Sequence, residues 1–497
     1  MPDVTPSPVR VAPRAGIALL LRHAGLTCWL DESTTMLYVL ADATHPALAA
    51  FHGTGIIVDG QILLRGPLSP ANARAVRRAL PWLQPRPLGL RTSAGFGDRL
   101  GLATPGHIRA LRACGATLAP IFAQQSIREN TRTGRTPQQV LDDATWGALA
   151  AGWQEPVGAD ADHLKTTDDI DACVAAGFTT FTLDPGAHVD SAAASDDRAT
   201  IERKVAALPW EALACAPSDL RARYVGRTID LGTGQLTLCE ADVLRAAAKY
   251  GRAIAHLGAL HRHLAATGVP FELEISVDET DTPTTPAEHC FLALELRRLG
   301  VPWVSLAPRF VGRFEKGVDY QGDLAALQAD LAAHAAIARA LGPYKLSLHS
   351  GSDKFSVYPL IAAATGGLVH LKTAGTSYLE ALRVVAGIAP DCFRQIAALA
   401  RERYAEDRQT YHVSARLDRM PDPAHLSDHA LPALLDQFDA RQILHVTFGA
   451  ALASFGAELR ALLATHRERY AEALERHFVR HLQPFITDAP VAPPPGP

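Results

Sequence analysis

From residue 88 to about residue 390 the chain repeats one pattern eight times. A short apolar or β-branched run is followed each time by an Ala-, Leu- and Arg-rich stretch with helical spacing. The runs that read as strands are 89–92, 117–122, 157–161, 179–183, 271–277, 303–306, 345–348 and 368–371, with helices starting near Pro105, Pro137, Thr167, Glu240, Thr285, Leu324, Tyr358 and Ser377. Eight strand–helix units are the count of a closed (β/α)8, TIM-like barrel, an α/β fold. A doubly wound sheet also holds eight strands, so closure is inferred from the count.

The flanks do not follow this rhythm. Residues 16–87 read as a small α+β region, with β-like runs at 35–41 and 55–64, a helical stretch at 70–83 and a turn at Gln84-Pro85-Arg86-Pro87. Residues 185–238 are too long for an ordinary connection and read as an insertion after the fourth strand, a candidate lid. Further helical stretches at 393–408, 431–438 and 451–482 make a C-terminal extension over 391–485, expected to pack outside the barrel. The Pro-rich ends, 1–15 and 486–497, lack apolar periodicity and read as disordered tails.

Charge and cysteine usage narrow the function classes. A net charge of −4 with a pI near 6.6 leaves no basic face for a nucleic acid. Seven scattered cysteines without a C-x-x-C pair point away from a disulfide framework and toward a reducing compartment. The aliphatic cluster at 17–21 is far below the ~20 residues that span a bilayer. The expectation is a cytoplasmic protein that handles a small molecule, with no nucleic-acid or membrane partner.

In such a barrel the active site lies at the C-terminal ends of the strands. Nearly every expected strand here ends in polar residues, among them Asp98-Arg99, Gln124-Gln125, Arg128-Glu129, Asp162-His163-Leu164-Lys165 and Asp184. The later strands add Glu274, Asp278 and Glu279, then Arg309, Arg313, Glu315, Lys316 and Asp319, then His349-Ser350-Gly351-Ser352-Asp353-Lys354, and finally His370 and Lys372. Apolar staves would bury such groups at a cost unless they faced a polar pocket.

His163, His349 and His370 come from separate strand ends and suit a divalent cation such as Zn, Mn, Fe, Co or Ni. Asp162 and Glu274 approach from different strands and could supply a base and an acid. Either could instead be a metal ligand or a partner for Arg99 or Lys165. The cations Arg99, Arg128, Lys165, Arg309, Lys354 and Lys372, with Gln125 beside them, point to an anionic substrate. The glycines of 95–101 are spaced wrongly for a dinucleotide fingerprint. His256, His261 and His263 lack the Glu of a His-Glu-x-x-His helix and read as a solvated face.

At these residues the sequence resembles the tagaturonate epimerase family. The stretches that carry the likeness are FGDRLGLATPGHIRA (96–110), QQSIREN (124–130), GADADHLK (158–165) and LEISVDETDTPTTPAEH (273–289), then VSLAPRFVGRFEKGVDYQGD (304–323), LSLHSGSDKFSVYP (346–359) and HLKTAGTSYLEA (370–381). The resemblance implies a TIM-like barrel that interconverts D-tagaturonate and D-fructuronate with a divalent metal. It implies Asp162 as proton acceptor, Glu274 as proton donor, and His163 and His349 as metal ligands. His370 is the first choice for the third ligand and Asp319 the second. The two sugar acids differ at the ketose C4, which simple enolisation does not reach. Retro-aldol cleavage of C3–C4, followed by re-addition to the other face, does reach it. A neutral-ketohexose 4-epimerase or a related aldolase is the nearest rival; a non-catalytic sugar-acid sensor is the rival from another class.

Overall fold

A computed structural model describes residues 19–31, 34–115 and 117–486. Residues 1–15 and the Pro-rich tail beyond Ile486 lie outside the described residues. Eight parallel strands, Ser93–Phe96, Ala119–Ser126, Gly158–Leu164, Thr180–Leu183, Glu272–Ser276, Ser305–Ala307, Lys345–Leu348 and Val369–Thr373, form one sheet. The eighth pairs with the first through His370↔Ser93, Leu371↔Ala94, Lys372↔Gly95 and Thr373↔Phe96. The barrel is closed.

The following helices begin within a residue or so of the expected positions, from Thr104–Ala113 to Thr376–Ile388. Local chemistry sets several starts. Thr166 with Asp169, and Thr285 with Glu288, form reciprocal capping boxes, and Pro286 occupies the first turn of its helix. The first strand lies four residues later than the run at 89–92. Gly89 there takes a left-handed φ of 62°, and the amides of Leu88 and Gly89 donate to the Glu272 carboxylate at 2.9 and 2.7 Å. That segment caps one end of the barrel instead of joining its wall.

Strand alternation explains where the polar residues go. Leu273 and Ile275, Leu346 and Leu348, and Val369 and Leu371 are buried apolar positions. The residues between them, Glu272, Glu274, Lys345, Ser347, His370 and Lys372, are equally buried but polar. They meet across the interior: Lys345 Nζ donates to Ser93 Oγ at 3.0 Å, and Thr180 Oγ1 donates to Glu272 at 2.9 Å. Barrel interiors are ordinarily filled by branched aliphatic side chains. This one is filled by hydrogen-bonded and ion-paired groups.

The chain divides into two compact units, one up to Gln84 with Thr145–Glu155 and one holding the rest. In the first, five antiparallel strands run in the order Leu21–His23, Leu26–Asp31, Met36–Asp42, Gln61–Pro67, Thr54–Val58, with the helix Pro70–Ala79. The run at 55–64 is two strands of a hairpin, because Asp59 and Gly60 both take positive φ and turn the chain.

In the second unit, the insertion forms helices Arg198–Ala206 and Pro217–Tyr224 and a small hairpin. Tyr224 donates to Glu295 and Arg298 donates to the Leu213 carbonyl, which fastens it to the outer helix Pro286–Arg298. The C-terminal extension corrects the expectation of a purely external layer. Helix Arg467–Leu482 does pack outside, tightly enough that a Cβ at Gly106 would lie 2.7 Å from Leu474. Residues 410–414 and helix Phe438–Val446, however, reach the C-terminal mouth of the barrel.

Candidate active site

Asp162 and His163 are consecutive in a strand, where neighbours normally face opposite sides. Here the register with the fourth strand shifts between Ala161 and Leu164, and His163 takes a left-handed φ of 54°. This bulge lets both side chains reach His349 from the seventh strand's end. The His163 and His349 ring centroids are 4.6 Å apart, and His163 Nε2 and His349 Nε2 lie 4.0 and 3.4 Å from Asp162 Oδ1.

These residues fit a metal ion by an independent sign. His163 Nδ1 lies 3.0 Å from Asp184, and His349 Nδ1 lies 2.9 Å from Asp278. A carboxylate behind one ring nitrogen fixes the tautomer and frees the other as a ligand. The Nε2 of His349 points at acids, 2.7 Å from Glu274 Oε1 and 3.4 Å from Asp162 Oδ1. Ligand atoms of Asp162, His163 and His349 all lie within 4.8 Å of one another, and those of His163, Asp184 and Glu279 form a second such group.

His370 stands apart from both groups. Its Nδ1 is engaged by Ser93 Oγ at 2.9 Å, its Nε2 is 4.0 Å from Asp160, and burial pulls its pKa down to about 3. It belongs to the polar filling of the barrel. Asp319 is also elsewhere, accepting from the Ser356 amide and hydroxyl. The structure groups Asp162 with the two imidazoles, and His370 and Asp319 lie outside that group.

Beneath them lies a caged cation. Lys372 Nζ is 2.8 Å from Asp160, 2.7 Å from Asp162 and 2.9 Å from Glu274, and donates to Thr182 Oγ1 at 2.7 Å. Burial raises carboxyl pKa values. At Asp162 and Glu274 the Lys372 charge and the neighbouring imidazoles overcome burial and hold both well below the usual carboxylate range. Gln124 completes the shell of Asp162 by donating to Oδ2 at 3.0 Å.

The other candidate cations are mostly consumed internally. Arg99 pairs with Glu129 at 2.6 Å and stacks on Phe448; Arg128 pairs with Glu279 at 3.0 Å; half-exposed Lys165 faces Asp184 at 3.3 Å. Lys354 and Gln125 do not face the substrate space. All three protons of Lys354 go to the carbonyls of Glu315, Val318 and Ser352, and burial pulls its pKa down to about 7. Gln125 Nε2 donates to Asn130 and Thr133, securing the helix Ile127–Thr133. Lys372 is occupied by its carboxylates. Arg309 lines a cavity of about 360 Å³ together with Asp278, Glu279, Lys316, His349 and Tyr411.

Two kinds of residue escaped the sequence reading. Asp184 and Asp278 stood in the strand-end clusters, but nothing in their spacing marked them as orienting His163 and His349. Tyr411, His445 and Phe448 lie in the C-terminal extension, well past the last strand at Val369–Thr373, where no strand-end rule applies.

The extension also straps the seventh loop. Asp353, at a left-handed φ of 60°, accepts from His477 Nε2 at 2.6 Å and Arg441 at 2.9 Å, while its own amide donates to His481 Nε2 at 3.0 Å. His481 Nδ1 then donates to the His477 carbonyl at 3.1 Å, so both nitrogens need the neutral ring. Burial pushes the His481 pKa down to about 3. Below pH 6.5 the unfolded ring takes a proton that the folded ring refuses. The folded state therefore loses about 1.4 kcal/mol per pH unit as pH falls from 6.5 toward 3. His481→Gln keeps a donor and an acceptor but cannot titrate. Denaturant unfolding at pH 7, 6 and 5 is expected to show wild type losing stability faster than this variant; parallel curves would discard the account.

The comparisons with known proteins fall on the same architecture. The family model described as tagaturonate epimerase matches residues 27–485. The chain belongs to the tagaturonate epimerase family. A curated member, the tagaturonate/fructuronate epimerase of Thermotoga maritima, is 44% identical over 413 residues, covering 83% of this chain and 84% of that protein. The glycerol-complexed crystal structure of the fructuronate-tagaturonate epimerase of Cohnella laeviribosi superposes with a TM-score of 0.86 at 37% identity, covering 94% of this chain and 95% of that one. The native crystal structure of that enzyme gives 0.86 at 36%, covering 95% and 97%.

Proposed function

We propose that the chain interconverts D-tagaturonate and D-fructuronate by breaking and remaking the C3–C4 bond beside a divalent metal held by His163 and His349. One observation carries the reading within this family: two imidazoles, each with a carboxylate behind it, converge on Asp162 directly above the Lys372–Glu274 pair. A divalent ion held there supplies positive charge for the oxygens on which enediolate charge develops.

Asp162 accepts the C4 hydroxyl proton. The C3–C4 electron pair then moves into C2–C3, giving an enediolate and leaving C4 as an aldehyde carbon. After the aldehyde fragment turns about its C4–C5 bond, C3 attacks the opposite face and the bond re-forms. The new C4 oxyanion points away from Asp162, so a second group must return the proton. Glu274 fills that role, and Lys372, within 2.9 Å of both carboxylates, carries the proton between them. Charge and protons balance over the cycle.

The test uses chelator-treated protein with D-tagaturonate, followed by NMR before and after adding Mn, Zn, Fe(II), Co or Ni. Conversion to fructuronate restored by metal is the expected result. Tight metal binding without conversion would remove the substrate assignment, and conversion at full rate without metal would remove the metal. In deuterated water C4 is expected to keep its own hydrogen; deuterium there would exclude retro-aldol chemistry.

A further inference from the structure

We infer that Arg309, Arg313 and Lys316, on the loop after the sixth barrel strand, form the subsite for the substrate carboxylate and set the preference for a sugar acid over a neutral ketohexose. This rests on the function proposed above.

The three cations line one cavity of about 360 Å³, with His349, Asp278 and Glu279 also in its wall, so it opens onto the candidate metal centre. That volume is ordinary for a small-molecule site. The arginines at the mouth are already spent, Arg99 on Glu129 and Arg128 on Glu279. Arg309 differs from them in pairing with no acid. Its main chain is fixed, the amide donating to Thr284 Oγ1 at 3.1 Å and the carbonyl accepting from the Thr284 amide at 2.8 Å. Its Nε, like that of Arg128, is buried without a hydrogen-bond partner. No carboxylate among the described residues pairs with Arg309 or Arg313. A buried donor lacking an acceptor is uncommon, and a ligand that supplies the acceptor explains its retention.

The loop is held in shape as well. Arg313 and Gln321 exchange main-chain hydrogen bonds at 2.9 and 3.1 Å, and Lys316 Nζ donates to Ser350 Oγ at 3.0 Å, one residue from His349. Lys316 lies 3.9 Å from Glu279, its nearest acid. Guanidinium groups grip carboxylates in two-point geometry, which fixes direction as well as charge.

The chemistry gives this grip a second use. Cleavage of C3–C4 leaves the carboxylate on the C4–C6 fragment. Anchored at that carboxylate, the fragment can turn about C4–C5 and present its other face without leaving. A neutral ketohexose yields a fragment with no such anchor.

The experiment compares Arg309→Gln, Arg313→Ala and Lys316→Met with wild type, all metal-loaded, on D-tagaturonate and D-tagatose. Arg313 is exposed, so its variant is a safeguard should Arg309→Gln fold poorly. For tagaturonate, kcat/KM is expected to fall ~10²-fold in Arg309→Gln and ~10-fold in the other two, the range for lost charged hydrogen bonds. Tagatose turnover is expected to change far less. Equal losses on both sugars, or no loss on tagaturonate, overturn the subsite. Titration calorimetry with tartronate, the carboxylate-bearing fragment analogue, judges the subsite without turnover: affinity should fall in all three variants, and unchanged affinity overturns it. Wild type that turns over no tagaturonate while binding tartronate through these cations overturns the function and keeps the subsite.

Discussion

Asp162→Asn and Glu274→Gln are each expected to leave the barrel folded and to lower tagaturonate turnover by 10² to 10⁴-fold, the usual worth of a positioned acid or base. KM should move little, because the subsite cations are untouched. The two variants separate the possible roles of Asp162. If it is the base, Asp162→Asn retains metal affinity within a few-fold. If it is a ligand, affinity drops together with turnover. A competitive metal titration reads that difference directly. Full turnover in both variants would end the acid–base assignment, whereas substrate binding that survives the loss of turnover counts against a sensor role.

The legible part of this site lay in strand alternation. In Glu272–Ser276 and Val369–Thr373, polar residues alternate with buried aliphatic ones, and that pattern needs only sequence to place Glu274, His370 and Lys372 inside one barrel. Alternation does not say how deep a residue lies. His370 sits two residues before Lys372, one layer further from the mouth, and that step places it outside the cluster of Asp162, His163 and His349. Nor does alternation foresee a bulge, which is why the reach of His163 past its own strand was visible only in the structure. Cations were the least legible. A lysine facing substrate and one satisfied by three carbonyls look alike in a sequence, and Lys354 is the second kind. The C-terminal contribution was hidden for another reason: Arg441 meets Asp353 across nearly ninety residues, and no local pattern encodes such a pairing.

Lys372→Met is expected to have the largest effect on the fold. The methionine fills most of the same space, but three buried carboxylates lose the cation that neutralises them. Removing one partner from a buried ion pair typically costs about 3–5 kcal/mol, and whole domains have only about 5–15 kcal/mol to lose. The sign of the pH dependence should identify this cause. In wild type, Lys372 and the imidazoles keep Asp162 and Glu274 ionised, so their contribution is present above the unfolded carboxyl pKa and is lost in acid. Without the lysine, burial and mutual repulsion raise those pKa values. The deficit of the variant against wild type should therefore shrink as pH falls from 8 to 5, because protonation then relieves the buried charge. Adding Glu274→Gln to Lys372→Met removes one of the three acids and is expected to recover part of the lost stability, with no recovery of turnover. Denaturant unfolding at pH 5 and 8 on wild type and both variants decides it. A Lys372→Met deficit against wild type that is the same at pH 5 and pH 8 would show that the cage is held by packing rather than by charge.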